Sequence, residues 1–286
     1  MSNTIFPLFT KTFHHSSYDA IAPNNPSLSA AGKVVFITGG GRGIGKGIAT
    51  AFVEAGAKAI VIIGRSEVSL KETKAELSRT GKSAVEYFVA DIIDVSAVEV
   101  AFSATARTYG KVDILINNAG YLDDHVSIAE SSLDDYWYCF EVNVKGPIIA
   151  TQAFLKVAAP NATVINLVSG AAHVPYAPGY SGYGTAKMAS AKLMEYLQHE
   201  EPGLRVFNMQ PGTIPTDMAK KVGDFYQMED QIDLPASFCV WLASGESDFL
   251  KGRLVWANWD VNEMKAKAQE IVGKDLLTMR LSGWPA

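Results

Sequence analysis

Residues 33–45 read Lys33-Val34-Val35-Phe36-Ile37-Thr38-Gly39-Gly40-Gly41-Arg42-Gly43-Ile44-Gly45, a short apolar run that breaks into glycines and opens into a helical stretch ending near Ala55. A turn stripped of side chains between strand and helix lets backbone N–H groups approach a pyrophosphate, whose charge the helix N-terminus favours. The register G-x-G-x-x-G fails because Ile44 stands three positions after Gly41, whereas G-x-x-x-G-x-G fits on Gly39, Gly43 and Gly45. No Gly-Lys-Ser/Thr follows, which excludes a Walker loop. Alone, such a stretch can be only a turn, so its meaning depends on what surrounds it.

On either side the same rhythm of strand and helix continues. Ala59 to Ile63, Ala84 to Ala90, Val112 to Ile116, Thr163 to Val168, Arg205 to Met209 and Arg253 to Trp256 read as strands. Val68 to Ser78, Ser96 to Tyr109, Leu133 to Val157, Ala186 to Glu200 and Val261 to Val272 read as helices between and after them. Apolar runs alternating with amphipathic helices predict a doubly wound α/β fold: a mostly parallel seven-stranded sheet with the first strand central and a ligand crevice at the carboxyl ends. One domain spans 33–260, preceded by an extension over 1–32 that drapes or dangles and followed by a helix and tail over 261–286. Residues 213–234, punctuated by Pro215 and Gly223, with Pro235 just beyond, are a lid candidate over that crevice.

Composition narrows the class. With 286 residues, 48% hydrophobic, the chain can bury a sizeable core, and a net charge of -5 without a Lys/Arg block argues against nucleic acid as partner. No apolar stretch approaches the length needed to cross a bilayer, and Met1 to His15 lacks the basic start of a signal peptide, so a cytoplasmic protein without membrane attachment is expected. Two distant cysteines, Cys139 and Cys239, form no C-x-x-C, and neither H-E-x-x-H nor a Glu-x-x-His pair occurs, so no metal site is expected.

The second strand runs out as Ile63-Gly64-Arg65-Ser66, with no acid until Glu67. A carboxylate at that point would suit the adenosine 2′-hydroxyl of NAD; a basic residue suits the 2′-phosphate of NADP. Arg65, with Arg42 from the glycine turn as a second forked donor, therefore predicts NADP(H). The fifth strand delivers Ser169, and fourteen residues on comes Tyr183-Gly184-Thr185-Ala186-Lys187. Tyr183 and Lys187 lie one turn apart on one helical face, where an ammonium should lower the phenol's pKa toward a useful range. Tyr183 can then exchange a proton with a substrate oxygen that Ser169 polarises, while a nicotinamide carries the hydride. Y-x-x-x-K alone is a weak signal.

Together, the glycine turn, Asn117-Asn118-Ala119-Gly120 after the fourth strand, Asn143, Ser169 and Tyr183-x-x-x-Lys187, in that order, resemble the short-chain dehydrogenase/reductase family over roughly Lys33 to Thr216. The resemblance implies a Rossmann-type fold with Ser169, Tyr183 and Lys187 as catalytic triad and Asn143 supporting a proton relay through water. It further implies that Lys187 binds the nicotinamide ribose and that Asp91 and Ile92 flank the adenine. Asn118, with Ala119 and Gly120 beside it, would line the cofactor groove; Ile214 and Thr216 would contact the cofactor, joining Gly39, Arg42, Gly43, Ile44, Gly45, Arg65 and Ser66. The terminal segments, with Asn258-Trp259-Asp260-Val261-Asn262-Glu263, resemble fungal members associated with secondary metabolism.

The expected function is an NADP(H)-dependent carbonyl reductase or secondary-alcohol dehydrogenase acting on a hydrophobic small molecule, to which Tyr121, His173, Tyr176, Phe225 and Tyr226 point. Two alternatives stay open: the same fold running an isomerisation, dehydration or cyclisation, or a non-catalytic NADP-binding module. The apolar helices Leu133 to Val157 and Ala186 to Leu197 suit the seams of a homo-oligomer, a dimer or tetramer. His14 and His15 read as solvated residues of a polar tail. Trp241, Trp256, Trp259 and Trp284 read as packing residues.

Overall fold

Every residue of the first strand, β1 (Val34–Thr38), is buried, as a central parallel strand covered on both faces must be. The computed structural model describes residues 8–174, 176–219, 221 and 228–281. It places β1 beside β2 (Ala59–Gly64), β3 (Ala84–Val89), β4 (Val112–Asn117), β5 (Ala158–Leu167), β6 (Arg205–Gln210) and β7 (Leu254–Trp256) in one sheet of order β3-β2-β1-β4-β5-β6-β7. All six pairings are parallel. The order reverses at β1, and the crevice expected there opens between the ends of β1 and β4.

Alternation along the strands sorts their side chains into two cores. Val35, Ile37, Ile60, Ile62, Phe207 and Met209 pack with α1 (Gly43–Glu54) and α7 (Asp233–Ala243) on one face. Val34, Phe36, Val61, Leu115 and Val206 pack on the other with α3 (Val95–Tyr109), α5 (Gly146–Leu155) and α6 (Ser181–Glu200). The α2 helix (Glu67–Ser78) follows β2 and starts with Ser66 as its N-cap.

Several boundaries differ from the sequence reading. The single helix expected from Leu133 to Val157 is α4 (Leu133–Phe140) and α5 joined by a π-helical turn, Glu141–Lys145. β5 starts earlier than expected, with a register shift opposite Val112 and Ile114 and Asn161 in the left-handed region at φ 56°. The last helix is broken into α8 (Val261–Ala266) and α9 (Ala268–Gly273). The sequence reading missed α7 because most of its residues are buried and no polar face marks its period.

Residues 8–32 lie across the domain, with Ile21 and Leu28 in its core. The expected solvated histidines prove to be anchors. His14 Nε2 is 2.9 Å from Asp260 Oδ2 and its ring stacks on Tyr18. His15 Nδ1 is 2.6 Å from Asp230 Oδ1, and the His15 carbonyl accepts Gln231 N–H at 2.7 Å. Buried Asp230 also accepts from Thr213 N at 2.6 Å and from Asn258 Nδ2 at 3.0 Å. One carboxylate thus ties both ends of the lid segment to the N- and C-terminal segments. Trp241, Trp256 and Trp259 are buried, the last two stacked on each other; Trp284 lies outside the described residues.

Candidate active site

The glycine turn has the shape that backbone approach requires. Gly39 sits at φ +68° and Gly43 at φ +53°, conformations open to glycine at little cost. Gly39 and Gly40 N–H both donate to Ile63 O, at 2.8 and 3.2 Å, which pins the turn to β2. A Cβ on Gly45 would stand 2.3 Å from Gly39 O and 2.6 Å from Asn118 Nδ2. Asn118 closes the other side: its Nδ2 donates to Thr38 O at 2.8 Å and Gly39 O at 3.1 Å. Thr38 Oγ1 in turn accepts the Asn118 and Ala119 N–H groups, both at 3.0 Å. The ends of β1 and β4 are therefore latched together around the turn.

From this turn a cleft of about 560 Å³ runs across the strand ends. It is lined by Gly39, Arg42, Gly43, Ile44 and Gly45 at one end, by Arg65, Ser66, Asp91 and Ile92 along its side, and by Asn118, Ala119, Gly120 and Thr216 further in. Tyr183 and Lys187 close its inner end. Ile214 and Asn143 are buried and, like Ser169, lie outside the lining. Sequence reasoning missed Tyr138 and Val142, which also line the cleft; their spacing of four on one helical face was the available signal.

The glycine cradle fits a dinucleotide, and two arginines stand at the mouth of the cleft. Arg42 Nη1 pairs with Asp217 at 3.1 Å, and Arg65 Nη1 donates to Tyr138 Oη at 2.8 Å and lies 3.9 Å from Asp91. These partners are solvent-facing, and such exposed pairs hold a side chain weakly.

Past the end of β5, Ser169 caps the short helix Gly170–Ala172: its Oγ accepts Ala171 N–H at 3.2 Å. That leaves the hydroxyl proton to act on the Tyr183 phenol, whose pKa Ser169 pulls downward. Lys187 is 5% exposed. Its Nζ donates to Leu167 O at 2.9 Å and stands 5.7 Å from the Tyr183 ring centroid. The expected lowering of the phenol's pKa is not what this packing produces. Burial pushes the Tyr183 phenol well above its ordinary range, helped by Cys139 and Asp123, while burial draws the Lys187 ammonium down to about 8. This packing therefore favours the protonated phenol of Tyr183.

Asn143 sits on the π-helical turn and is fully buried. Its Nδ2 donates to Tyr121 O at 2.6 Å and Cys139 O at 2.9 Å, and its Oδ1 accepts Tyr121 N–H at 3.3 Å. A Cβ on Gly120 would meet Asn143 Oδ1 at 3.2 Å and Lys187 Nζ at 3.5 Å, so those two polar groups converge on one glycine.

A second hollow of about 520 Å³ lies along the Ser169 to Tyr183 loop, lined by His173, Tyr176, Tyr180 and Met188 and by Val126 and Ile128 from the β4–α4 loop. Tyr121 is not in it; its hydroxyl donates to Asp135 at 2.5 Å. Phe225 and Tyr226 of the lid, with Pro175 and Gly223, lie outside the described residues. Among the described residues no group of His, Cys, Asp and Glu could hold a metal ion, and no helix is long and apolar enough to cross a membrane. Both cysteines are buried free thiols.

Comparison with known proteins agrees with this geometry. A family model described as short chain dehydrogenase matches residues 33–227. A short chain dehydrogenase of the fungus Monascus purpureus is 32% identical over 96% of this chain and 97% of its own length. A short chain dehydrogenase/reductase of Claviceps purpurea, also a fungus, is 34% identical over 93% of this chain and 91% of its own. Among solved structures, a dehydrogenase/reductase from Sinorhizobium meliloti superposes with a TM-score of 0.74 at 27% identity, over 81% of this chain and 95% of that one. A short chain dehydrogenase from Escherichia coli complexed with NADPH shares the fold at a TM-score of 0.76 and 21% identity, over 82% of this chain and 99% of that one.

Proposed function

This chain belongs to the short-chain dehydrogenase/reductase family, oxidoreductases that use nicotinamide cofactors, and from that premise we propose that it is an NADP(H)-dependent reductase of a hydrophobic ketone. The observation that carries the reading is the meeting, in the cleft that begins at the Gly39–Gly45 turn, of the Tyr183 phenol and the buried Lys187 ammonium, whose Nζ stands 5.7 Å from the Tyr183 ring centroid.

Gly39, Gly43, Ile44 and Gly45 would cradle the pyrophosphate, Arg42, Arg65 and Ser66 the 2′-phosphate, and Asp91 and Ile92 the adenine side. Asn118, Ala119, Gly120, Thr216 and Lys187, which line the cleft, would hold the nicotinamide half. The bound cofactor supplies the hydride. A ketone oxygen beside Ser169 and Tyr183 accepts hydrogen bonds from both hydroxyls, which draws electron density from the carbonyl carbon. Tyr183 then gives its proton to that oxygen as the alcohol forms, and its raised pKa means that the proton is present to give. Asn143 and Lys187, converging on Gly120, would return it through water.

The hollow beside His173 and Tyr176, walled by Val126 and Ile128, suits a hydrophobic substrate body. Exposed Leu133 and Trp137 on α4 offer an apolar face to a second copy. Two buried free thiols suit a reducing cytoplasm.

Tyr183→Phe tests the mechanism. Loss of a positioned general acid should lower NADPH-dependent turnover by about 10²–10⁴-fold and leave NADPH binding, read by fluorescence titration, nearly unchanged. Full activity in that variant would sink the reading. Turnover of substrate without NADPH would point instead to isomerase, dehydratase or cyclase chemistry, and NADPH binding without any turnover to a binding module.

A further inference from the structure

Asp123 is an ionisable side chain outside the cleft lining. It lies three residues past Gly120 in the β4–α4 loop and is only 3% exposed. Its carboxylate fills the space where a side chain at position 182 would begin: a Cβ on Gly182 would stand 2.0 Å from Asp123 Oδ2 and 2.8 Å from its Cγ. Gly182 belongs to the first turn of α6, immediately before Tyr183. That helix has no side-chain cap of its own at Tyr180. Asp123, from a distant segment, packs its carboxylate against that uncapped first turn. Negative charge at a helix N-terminus is favoured by the helix dipole. One of its oxygens, Oδ1, is buried without a hydrogen-bond partner.

We propose that Asp123 is a positioning residue for Tyr183: its buried carboxylate, packed against Gly182, fixes the first turn of α6 from the β4–α4 loop. The inference rests on the reading of Tyr183 as the proton donor.

The groups around it are few enough to be named. From α4, the Cys139 thiol interacts with the carboxyl, and Asp135 adds like charge while engaged by Tyr121 Oη and Asp124 N. From α6 come Tyr183 and Lys187, the latter turned toward Leu167 O. Asp124 and His125 follow on the same loop. Lys221 reaches the loop through its hydrogen bond to Leu122 O at 2.9 Å, and its Nζ lies over the Tyr121 ring. Within this shell the carboxyl is drawn upward, chiefly by burial, and Asp123 in turn raises the phenol.

The test compares Asp123→Asn, Gly182→Ala and Tyr183→Phe with the parent enzyme, using NADPH and the fastest-reduced ketone of a hydrophobic panel. Asn keeps the acceptor and removes the charge. The alkaline limb of turnover, where Tyr183 loses its proton, should therefore move to lower pH, with NADPH affinity unchanged. Gly182→Ala drives a methyl into the carboxylate and should lower Tm by several degrees, on the order of 5 °C. Asp123→Ala in the same chain should recover part of that loss, because the methyl then occupies vacated space. An alkaline limb that does not move in Asp123→Asn, a Gly182→Ala chain as stable as the parent, or strictly additive effects of the pair would each overturn the proposal. Retained turnover in Tyr183→Phe, or a panel in which no ketone is reduced, would instead remove the reading on which it rests; the stability coupling of Asp123 with Gly182 is read without substrate and still judges the packing contact.

Discussion

Replacing Lys187 with Met keeps an unbranched stem in the buried site and deletes its charge, which isolates what that charge does to folding. The ammonium is 5% exposed, and burial draws its pKa from 10.5 to about 8. In the unfolded chain the same group titrates in water. At about 1.4 kcal/mol per pKa unit, holding the ammonium in the folded chain costs about 3 kcal/mol at neutral pH. Between about pH 8 and 10.5 the unfolded chain binds a proton that the folded chain has released. Stability therefore rises with pH through that window, and the whole penalty is present below it. The Met variant lacks this dependence. Its unfolding free energy relative to the parent should thus be about 3 kcal/mol more favourable at neutral pH than at the top of the window. A constant offset from the lost Lys187 Nζ–Leu167 O bond of 2.9 Å is superimposed. Urea unfolding of both chains by tryptophan fluorescence, repeated at several pH values from neutral to about 10, measures the difference directly. If that difference stays flat, Lys187 is not a desolvated ammonium and the account of the site's electrostatics is wrong. Turnover should be lost in the Met chain at every pH, which would make Lys187 a residue kept against its own effect on stability.

Two further perturbations address the cofactor and the terminal clasp. Arg65→Ser removes a forked cation from the side of the cleft and should weaken NADPH binding about 10–100-fold, the range of one or two charge-assisted hydrogen bonds, while leaving NADH binding nearly constant; equal losses for both cofactors would contradict the 2′-phosphate assignment. Asp230→Ala strips the acceptor shared by Thr213, His15 and Asn258 and should lower the unfolding free energy by about 2–4 kcal/mol; a urea midpoint unchanged from the parent would show that the clasp does not hold the fold.

The sheet was legible because its strands are short apolar runs with amphipathic helices between most of them, and the glycine turn because close backbone approach tolerates few other residues. The boundaries that failed are those where tertiary packing overrides local pattern. α7 has no polar face to give it a period, and β5 begins with Ala158 and Ala159 followed by Pro160 and Asn161, which read as loop chemistry. The role of His14 and His15 was invisible because their partners, Asp260 and Asp230, lie more than 200 positions away. Asp123 was hidden for the same reason: a carboxylate in a loop gives no local sign that a glycine on another helix has made room for it.

Asn143 shows how motif and geometry divide the work. In the sequence it is an ordinary polar residue inside a long apolar helix, and only its order among the other motifs singled it out. In the structure the helix changes pitch there: the turn Glu141–Lys145 is π-helical, with Glu141 and Lys145 at its outer ends 3.7 Å apart and Asn143 turned fully inward. A π-helical turn sacrifices regular helix bonding and is found mostly where a side chain is needed in an otherwise unreachable direction. Here the amide of Asn143 replaces what the backbone gives up, bonding Cys139 O within the helix and Tyr121 N and O outside it. The same contacts hold residue 121, and with it the loop carrying Asp123, against the helix that carries Cys139. One irregular turn therefore fixes two supports of Tyr183 together, Asn143 beside Lys187 and Asp123 under the first turn of α6.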